Sequence, residues 1–310
     1  MCSLSMAAAY AAAIEVKVST PAQELGFPMD HEFRFPIGRT PKSQSKTPFP
    51  DWLTAATGLT EWPGSDPPYI PMDFINFDKI EKWRPYKEGR CTVNPRDSCS
   101  FDCDKCVAHD DVYTCRKLSQ TFDDGPSQHT LTLLDHLKHK TTFFTLGMNI
   151  VDHPEIYRKI VDGGHLIGTH TWSHPFLPSL SNEEIIAQLQ WSIWAMNATG
   201  NHLPKWFRPP YGGIDNRVRS IARQFGLQSV LWDHDTLDWM SVSNPFLRSE
   251  SDILKDVREW AKSPSGIILE HDGNRKTVDI ATKIDGIIGD DQLTAAECVG
   301  GIDYIKVFDT

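Results

Sequence analysis

The chain has 310 residues, of which 40% are hydrophobic, 23% charged and 10% aromatic, a globular composition that excludes collagen-like, coiled-coil or wholly disordered architectures. Lys and Arg number 31 against 41 Asp and Glu. The resulting formal charge of −10 lacks the basic footprint that a phosphate backbone requires, so nucleic acid is not an expected partner. The longest apolar run, Met6 to Ile14, is far shorter than the roughly 20 residues that span a bilayer, and no membrane span is expected.

In chain order, residues 1–20 carry that run followed by small residues, the outline of a secretory signal or a disordered leader, although no Lys or Arg precedes Lys17. Residues 21–111 are rich in Pro and turn formers, as in Thr47-Pro-Phe-Pro-Asp51 and Asp66-Pro-Pro68. They predict an irregular, disulfide-tied extension wrapped around a domain. Apart from Cys2 there are six cysteines, Cys91, Cys99, Cys103, Cys106, Cys115 and Cys298, five of them within 25 residues. An even, clustered set points to disulfides in an oxidising compartment. The competing structural zinc site of Cys99, Cys103 and Cys106 lacks paired C-x-x-C spacings. Asn197-Ala-Thr199 is a glycosylation sequon, usable if the chain is secreted.

From about Val112 onward, short apolar runs alternate with amphipathic stretches. Strands are predicted over 112–122, 141–147, 165–169, 205–208, 227–232, 266–270 and 302–308. Helices are predicted over about 129–139, 154–162, 215–225, 250–262 and 276–288. The clearest helix starts at a Ser181/Glu184 capping box, continues through Ile185, Leu189 and Ile193, and stops at Gly200. Strict alternation implies an α/β fold of about seven parallel strands, closed into a distorted, incomplete (β/α) barrel spanning 112–310.

In such barrels reactive groups gather at the C-terminal ends of the strands. Here those ends carry Asp123 and Asp124, then His170, Arg208, Asp235 and Asp238, and finally His271. Each has a bland reading: Asp123-Asp-Gly-Pro126 can be an ordinary turn, and Arg208-Pro-Pro-Tyr211 a rigid strand end. His170 and His174, four apart, share a face if the segment is helical, which suits a two-histidine metal clamp. Two imidazoles and a carboxylate make the three-ligand open site of a catalytic divalent metal, Zn2+ above all and Co2+ as the alternative. A second carboxylate can then act as base and a histidine from another strand as acid.

Five stretches carry a family resemblance: Thr121-Phe-Asp-Asp-Gly-Pro126, His170-Thr-Trp-Ser-His174, Arg208-Pro-Pro-Tyr211-Gly212, Asp235-Thr-Leu-Asp-Trp239 and Leu269-Glu-His271. In this order they resemble the motifs of the polysaccharide deacetylases, carbohydrate esterase family four, across about residues 112–305. Within the family the resemblance is strongest to the yeast-type chitin deacetylases, and it extends to Lys46–Trp52 and Cys99–Cys103. It implies Asp123 as general base, with Asp124, His170 and His174 holding the metal. It also implies that Arg208 orients Asp123, that the Tyr211 backbone N–H steadies an oxyanion, and that His271 is the acid, kept protonated by Asp238. Asp235 is the rival to Asp238 for that role. Trp239 and Leu269 would line the acetyl pocket, while Glu270 points to the other side of its strand.

The implied activity is hydrolysis of N-acetyl groups of chitin, or of N-acetylglucosamine oligomers, by a secreted monomer of a fungal cell or spore wall. The alternatives are a deacetylase of xylan or peptidoglycan, and a non-catalytic wall-binding protein. Trp172, Trp206, Trp232 and Trp239, in or beside the motif loops, are candidates to stack on sugar faces. Trp191 and Trp194 are expected to pack in the core.

Overall fold

A computed structural model describes residues 45–82, 85–91 and 98–308. The leader segment 1–20 and the extension as far as residue 44 lie outside the described residues. The strands β1 (Leu118–Asp123), β2 (Thr142–Thr145) and β3 (Leu166–Thr169) are buried at every position, as strands covered on both faces must be. Next come β4 (His202–Pro204), β5 (Trp206–Phe207), β6 (Gln228–Ser229), β7 (His234–Asp235), β8 (Gly266–His271) and β9 (Tyr304–Val307). Seven of them form one parallel sheet in the order β6-β5-β3-β2-β1-β8-β7, curled into a half-barrel with β1 inside it.

Two strand assignments differ from expectation. The C-terminal run 302–308 does not join the barrel. β9 instead pairs antiparallel with β4, Leu203 opposite Lys306, because its partly exposed residues cannot occupy a position sealed on both faces. Its place in the sheet is taken by β7, whose two polar residues pair with Ile268 and Leu269 and carry no apolar periodicity to reveal them. The expected strand 112–122 is also split. Val112 makes a lone parallel bridge to Val230, and the chain is then pinned by the Cys115–Cys298 disulfide before β1 begins.

The helices follow the predicted pattern more closely. Asn182–Gly200 opens on the expected capping box: the Glu184 N–H donates to Ser181 Oγ (3.2 Å) and the Ser181 N–H to Glu184 Oε2 (2.7 Å). It ends at Asn201, which takes the left-handed conformation. Pro154–Asp162, Asn216–Gln224, Glu250–Trp260 and Arg275–Ile288 also lie where periodicity placed them. Trp191 and Trp194 are buried in the core as expected. Within the sequon, the Thr199 side chain is buried and its hydroxyl shares a 2.8 Å hydrogen bond with that of Thr47.

Tryptophan and glutamine side chains, more than cysteine, hold the described part of the extension. The Trp62 ring stacks on Trp172 at 6.0 Å. Indole N–H groups of Trp172 and Trp191 donate to the carbonyls of Gly64 and Pro68, both at 2.7 Å, and Gln190 pairs with both backbone groups of Ile70. Residues 45–82 are thereby fixed to the barrel by contacts with no cysteine in them. The disulfides Cys91–Cys103 and Cys99–Cys106 tie only the stretch leading into the first strand, and this pairing removes the alternative zinc site of Cys99, Cys103 and Cys106.

Candidate active site

Register alone brings two distant motifs together. In the β1–β8 pair, Asp123 lies directly opposite His271, each the last residue of its strand. Across β3 and β5, Thr169 pairs with Phe207, so the next residues, His170 and Arg208, emerge side by side. Parallel strands ending in one layer therefore deliver all four groups to one rim.

Asp123 is buried, with one oxygen 2.9 Å from Arg208 Nη1 and the other 3.7 Å from His170 Nε2. Arg208 is itself wholly buried. It donates also to Thr121 Oγ1 (2.7 Å) and to the Val230 and Leu231 carbonyls, and lies 4.2 Å over the Phe144 ring. With all three guanidinium nitrogens donating, its charge is held against Asp123. Burial pushes the Asp123 carboxyl up to about 6, against the opposing pull of Arg208.

Asp124 follows in the left-handed region, φ 77°, which turns its side chain away from the strand and toward the histidines. Its Oδ1 is 3.5 Å from His170 Nε2 and 3.3 Å from His174 Nε2. The two histidines do not share a helical face. They sit on a loop in which Thr171 (φ 75°) and His174 (φ 67°) both take positive φ, and Thr171 Oγ1 accepts from the His174 N–H at 3.1 Å. The loop is carried by Gln188, whose Oε1 accepts from the N–H groups of Trp172 and Ser173.

This cluster suits a divalent metal on three observations. The donor atoms of Asp124, His170 and His174 lie within 4.8 Å of one another. Asp124 Oδ1 is buried without any hydrogen-bond partner, a costly arrangement for a carboxylate that a cation would relieve. His170 Nδ1–H donates to the Arg208 carbonyl (2.7 Å), which fixes the tautomer with Nε2 free toward the cluster. Burial pushes His170 and His174 down to about 4, so both imidazoles are neutral, as ligands must be.

On the other flank, His271 Nδ1 is 2.6 Å from Asp238 Oδ1, and its backbone N–H donates to Asp238 Oδ2 at 2.9 Å. Burial opposes protonation here, but the charge and hydrogen bond of Asp238 outweigh it, with Asp124 and Asp123 adding, and His271 is pushed up to about 10. Asp235 does not make this contact. Its oxygens take the Leu237 N–H (2.9 Å) and the Trp232 indole (3.2 Å), and so shape the turn.

Leu269 shares the His271 face of β8 and is buried, Glu270 on the opposite face is fully buried, and Trp239 and Tyr211 are half exposed on the rim. The Tyr211 ring lies 4.5 Å from that of His174, and its backbone takes φ 60° in the turn Pro210–Gly212. Of the four tryptophans expected to meet sugars, Trp172 and Trp206 are core residues and Trp232 packs against Arg208, which leaves Trp239. Sequence reasoning passed over Asp272, which is fully buried, accepts from Thr130 Oγ1 (2.5 Å) and lies against the backbone at Gly125. A Cβ at Gly125 would come within 2.4 Å of Asp272 Oδ2, so glycine is required between the paired aspartates and the proline. Another omission is Asn149, whose amide donates to the Asp124 carbonyl at 2.7 Å. Only the position of Asp272, next to His271, could have drawn notice.

A parallel half-barrel that collects paired carboxylates, two neutral imidazoles and a charged histidine on its C-terminal rim defines a hydrolase of the (β/α)-barrel class with a candidate metal centre. A family model described as polysaccharide deacetylase matches residues 111–230. Chitin deacetylase 2 of Saccharomyces cerevisiae is 65% identical over 277 residues, covering 89% of this chain and 88% of its own length. Chitin deacetylase 1 of the same yeast is 60% identical over 264 residues, 85% of this chain and 88% of its own. The structure of the chitin deacetylase from Colletotrichum lindemuthianum superposes with a TM-score of 0.56 at 27% identity, over 62% of this chain and 92% of that one. The chain belongs to the polysaccharide deacetylase family.

Proposed function

We propose that the protein hydrolyses the N-acetyl groups of chitin, releasing acetate and leaving glucosamine units. The observation that carries this reading is the three-residue cluster Asp124, His170 and His174, flanked on one side by the Asp123–Arg208 pair and on the other by the His271–Asp238 pair. Likeness to two yeast chitin deacetylases over most of both chains supports chitin as the substrate.

Asp124, His170 and His174 would hold a divalent metal, with Zn2+ favoured by the imidazole–carboxylate set and Co2+ the alternative. Bound there, the metal supplies Lewis acidity, polarising a carbonyl and acidifying a water. An acetamide carbon is a poor electrophile and its amine a poor leaving group, so a base and an acid are both needed. Asp123, steadied by Arg208, takes a proton from the attacking water. The Tyr211 N–H donates to the oxyanion as the carbonyl becomes tetrahedral. His271, kept protonated by Asp238, passes its proton to the nitrogen as the C–N bond breaks. Leu269 and Trp239 line the acetyl end, and the half-exposed Trp239 offers the flat surface on which a sugar stacks.

Residues 112–310 form the catalytic unit on this reading, with the segment 21–111 as an extension, of which Gly64 and Ser65 buttress the histidine loop. Among the described residues no helix is long and apolar enough to cross a membrane. Three disulfides suit an oxidising compartment, which supports secretion to a cell or spore wall, and the site is complete within one chain, which supports a monomer. The test is acetate release from N-acetylglucosamine oligomers before and after chelation, with acetylated xylan and peptidoglycan in parallel. Chelator-sensitive release from chitin oligomers alone is expected. Preference for another polymer would move the substrate assignment, and binding of chitin oligomers without any release would leave a wall-binding protein.

A further inference from the structure

On the barrel face opposite the catalytic rim, a second group of metal-ligating side chains meets where two helices end. His136 closes the helix Thr130–His136, and His139 lies three residues beyond it, just before β2 begins. Asp285 sits in the last turn of Arg275–Ile288, and Asp290 follows that helix. His139 Nδ1 is 3.5 Å from Asp285 Oδ1 and 3.9 Å from Asp290 Oδ1, and the three donor atoms lie within 4.8 Å of one another. The other Asp285 oxygen is 3.2 Å from His136 Nε2, so this carboxylate is held from both sides.

A second feature points to a ligand site. The His139 side chain is only 6% exposed, yet neither ring nitrogen has a hydrogen-bond partner. Gln292, whose side chain also neighbours His139, donates through Nε2 to Asp285 Oδ1 (3.3 Å), the Gly289 carbonyl (2.9 Å) and Gln120 Oε1 (3.2 Å). A buried imidazole without a hydrogen bond is costly, and its Nδ1 is aimed between two carboxylates. Those carboxylates also stand at the C-terminal end of a helix, where the exposed carbonyls already carry partial negative charge, so the field there draws a cation.

We propose that His139, Asp285 and Asp290 form a second, structural site for a borderline divalent cation such as Zn2+ or Co2+, clipping the end of Thr130–His136 to the end of Arg275–Ile288. The imidazole selects against Mg2+ and Ca2+, which take oxygen ligands. His136 acts by orienting Asp285, as partners of metal-bound carboxylates do. The site lies away from substrate, so its role is to hold the N-terminal end of β2 against the helix that follows β8.

Metal content after chelator stripping and re-equilibration with Zn2+ at low micromolar free concentration tests this. The unaltered chain is expected to hold two equivalents, and Asp290→Asn and His174→Ala one each, with Asp290→Asn keeping normal acetate release. Asp290 is exposed, so its replacement leaves packing intact, and His139→Ala, where it folds, should match it. A single equivalent that disappears in His174→Ala, or two equivalents that persist in Asp290→Asn, overturns the inference and leaves the catalytic reading standing. A single equivalent that survives in His174→Ala but not in Asp290→Asn does the reverse.

Discussion

The two flanks of the rim use the same side chain for opposite ends. His170 and His174 lie near a carboxylate, Asp124, whose Oδ1 stands 3.5 and 3.3 Å away without forming a hydrogen bond to either ring, and burial leaves both imidazoles neutral with pKa values near 4. His271 is buried as well, but Asp238 hydrogen-bonds its Nδ1 at 2.6 Å, and the outcome is reversed, with a pKa near 10. Less than an ångström and one well-aligned hydrogen bond separate imidazoles kept neutral, as a cation would need them, from one that keeps its proton.

The contrast can be broken most completely at the ligand flank. His174→Ala should remove the metal held by Asp124, His170 and His174 and reduce acetate release to background, as metal analysis and assay of the same sample will show. Next, Asp123→Asn should keep the metal and oligomer binding while lowering kcat on the order of 10²–10⁴-fold, the usual weight of a general base. Near-normal release from that variant would remove Asp123 from its role.

The acid flank sharpens the comparison through pH. If Asp123 is the base and His271 the acid, release should rise with pH through about 6 and fall as pH passes about 10. A bound divalent cation, by favouring the deprotonated form of each group, moves both limbs to lower pH. Asp238→Asn removes the charge that holds the His271 proton, so the alkaline limb alone should move to lower pH while metal content stays constant. A pH profile unchanged in that variant would detach His271 from the reaction. Smallest of all, Trp239→Ala should raise KM for oligomers roughly 2–10-fold, the worth of one aromatic stacking contact, with kcat little changed.

Much of the site was legible because its residues fall at strand ends, where apolar runs stop at charged groups: Phe122 before Asp123, and Ile267-Ile268-Leu269 before Glu270 and His271. Helices announced by caps, such as Asn182–Gly200, were legible for the same local reason. What escaped notice has no local signature. β7 is two polar residues long, Asp272 looks like any loop aspartate, and Trp172, in a motif loop, and Trp206, on β5 beside one, both face inward. The clustered cysteines made the disulfides of the extension legible, whereas the tryptophan and glutamine contacts that secure residues 45–82 come from residues more than 100 positions away.

The sequence by itself determined the alternating α/β order, the rim on which the reactive groups stand and the chemistry available to them, since each of these follows from residue type and local period. The tertiary structure alone decided that 302–308 leaves the barrel, that the two metal-side histidines meet through a left-handed loop, and that Asp238 rather than Asp235 reaches His271. Those outcomes depend on register between strands, and on desolvation at distances of about 3 Å, neither of which any stretch of chain encodes in isolation.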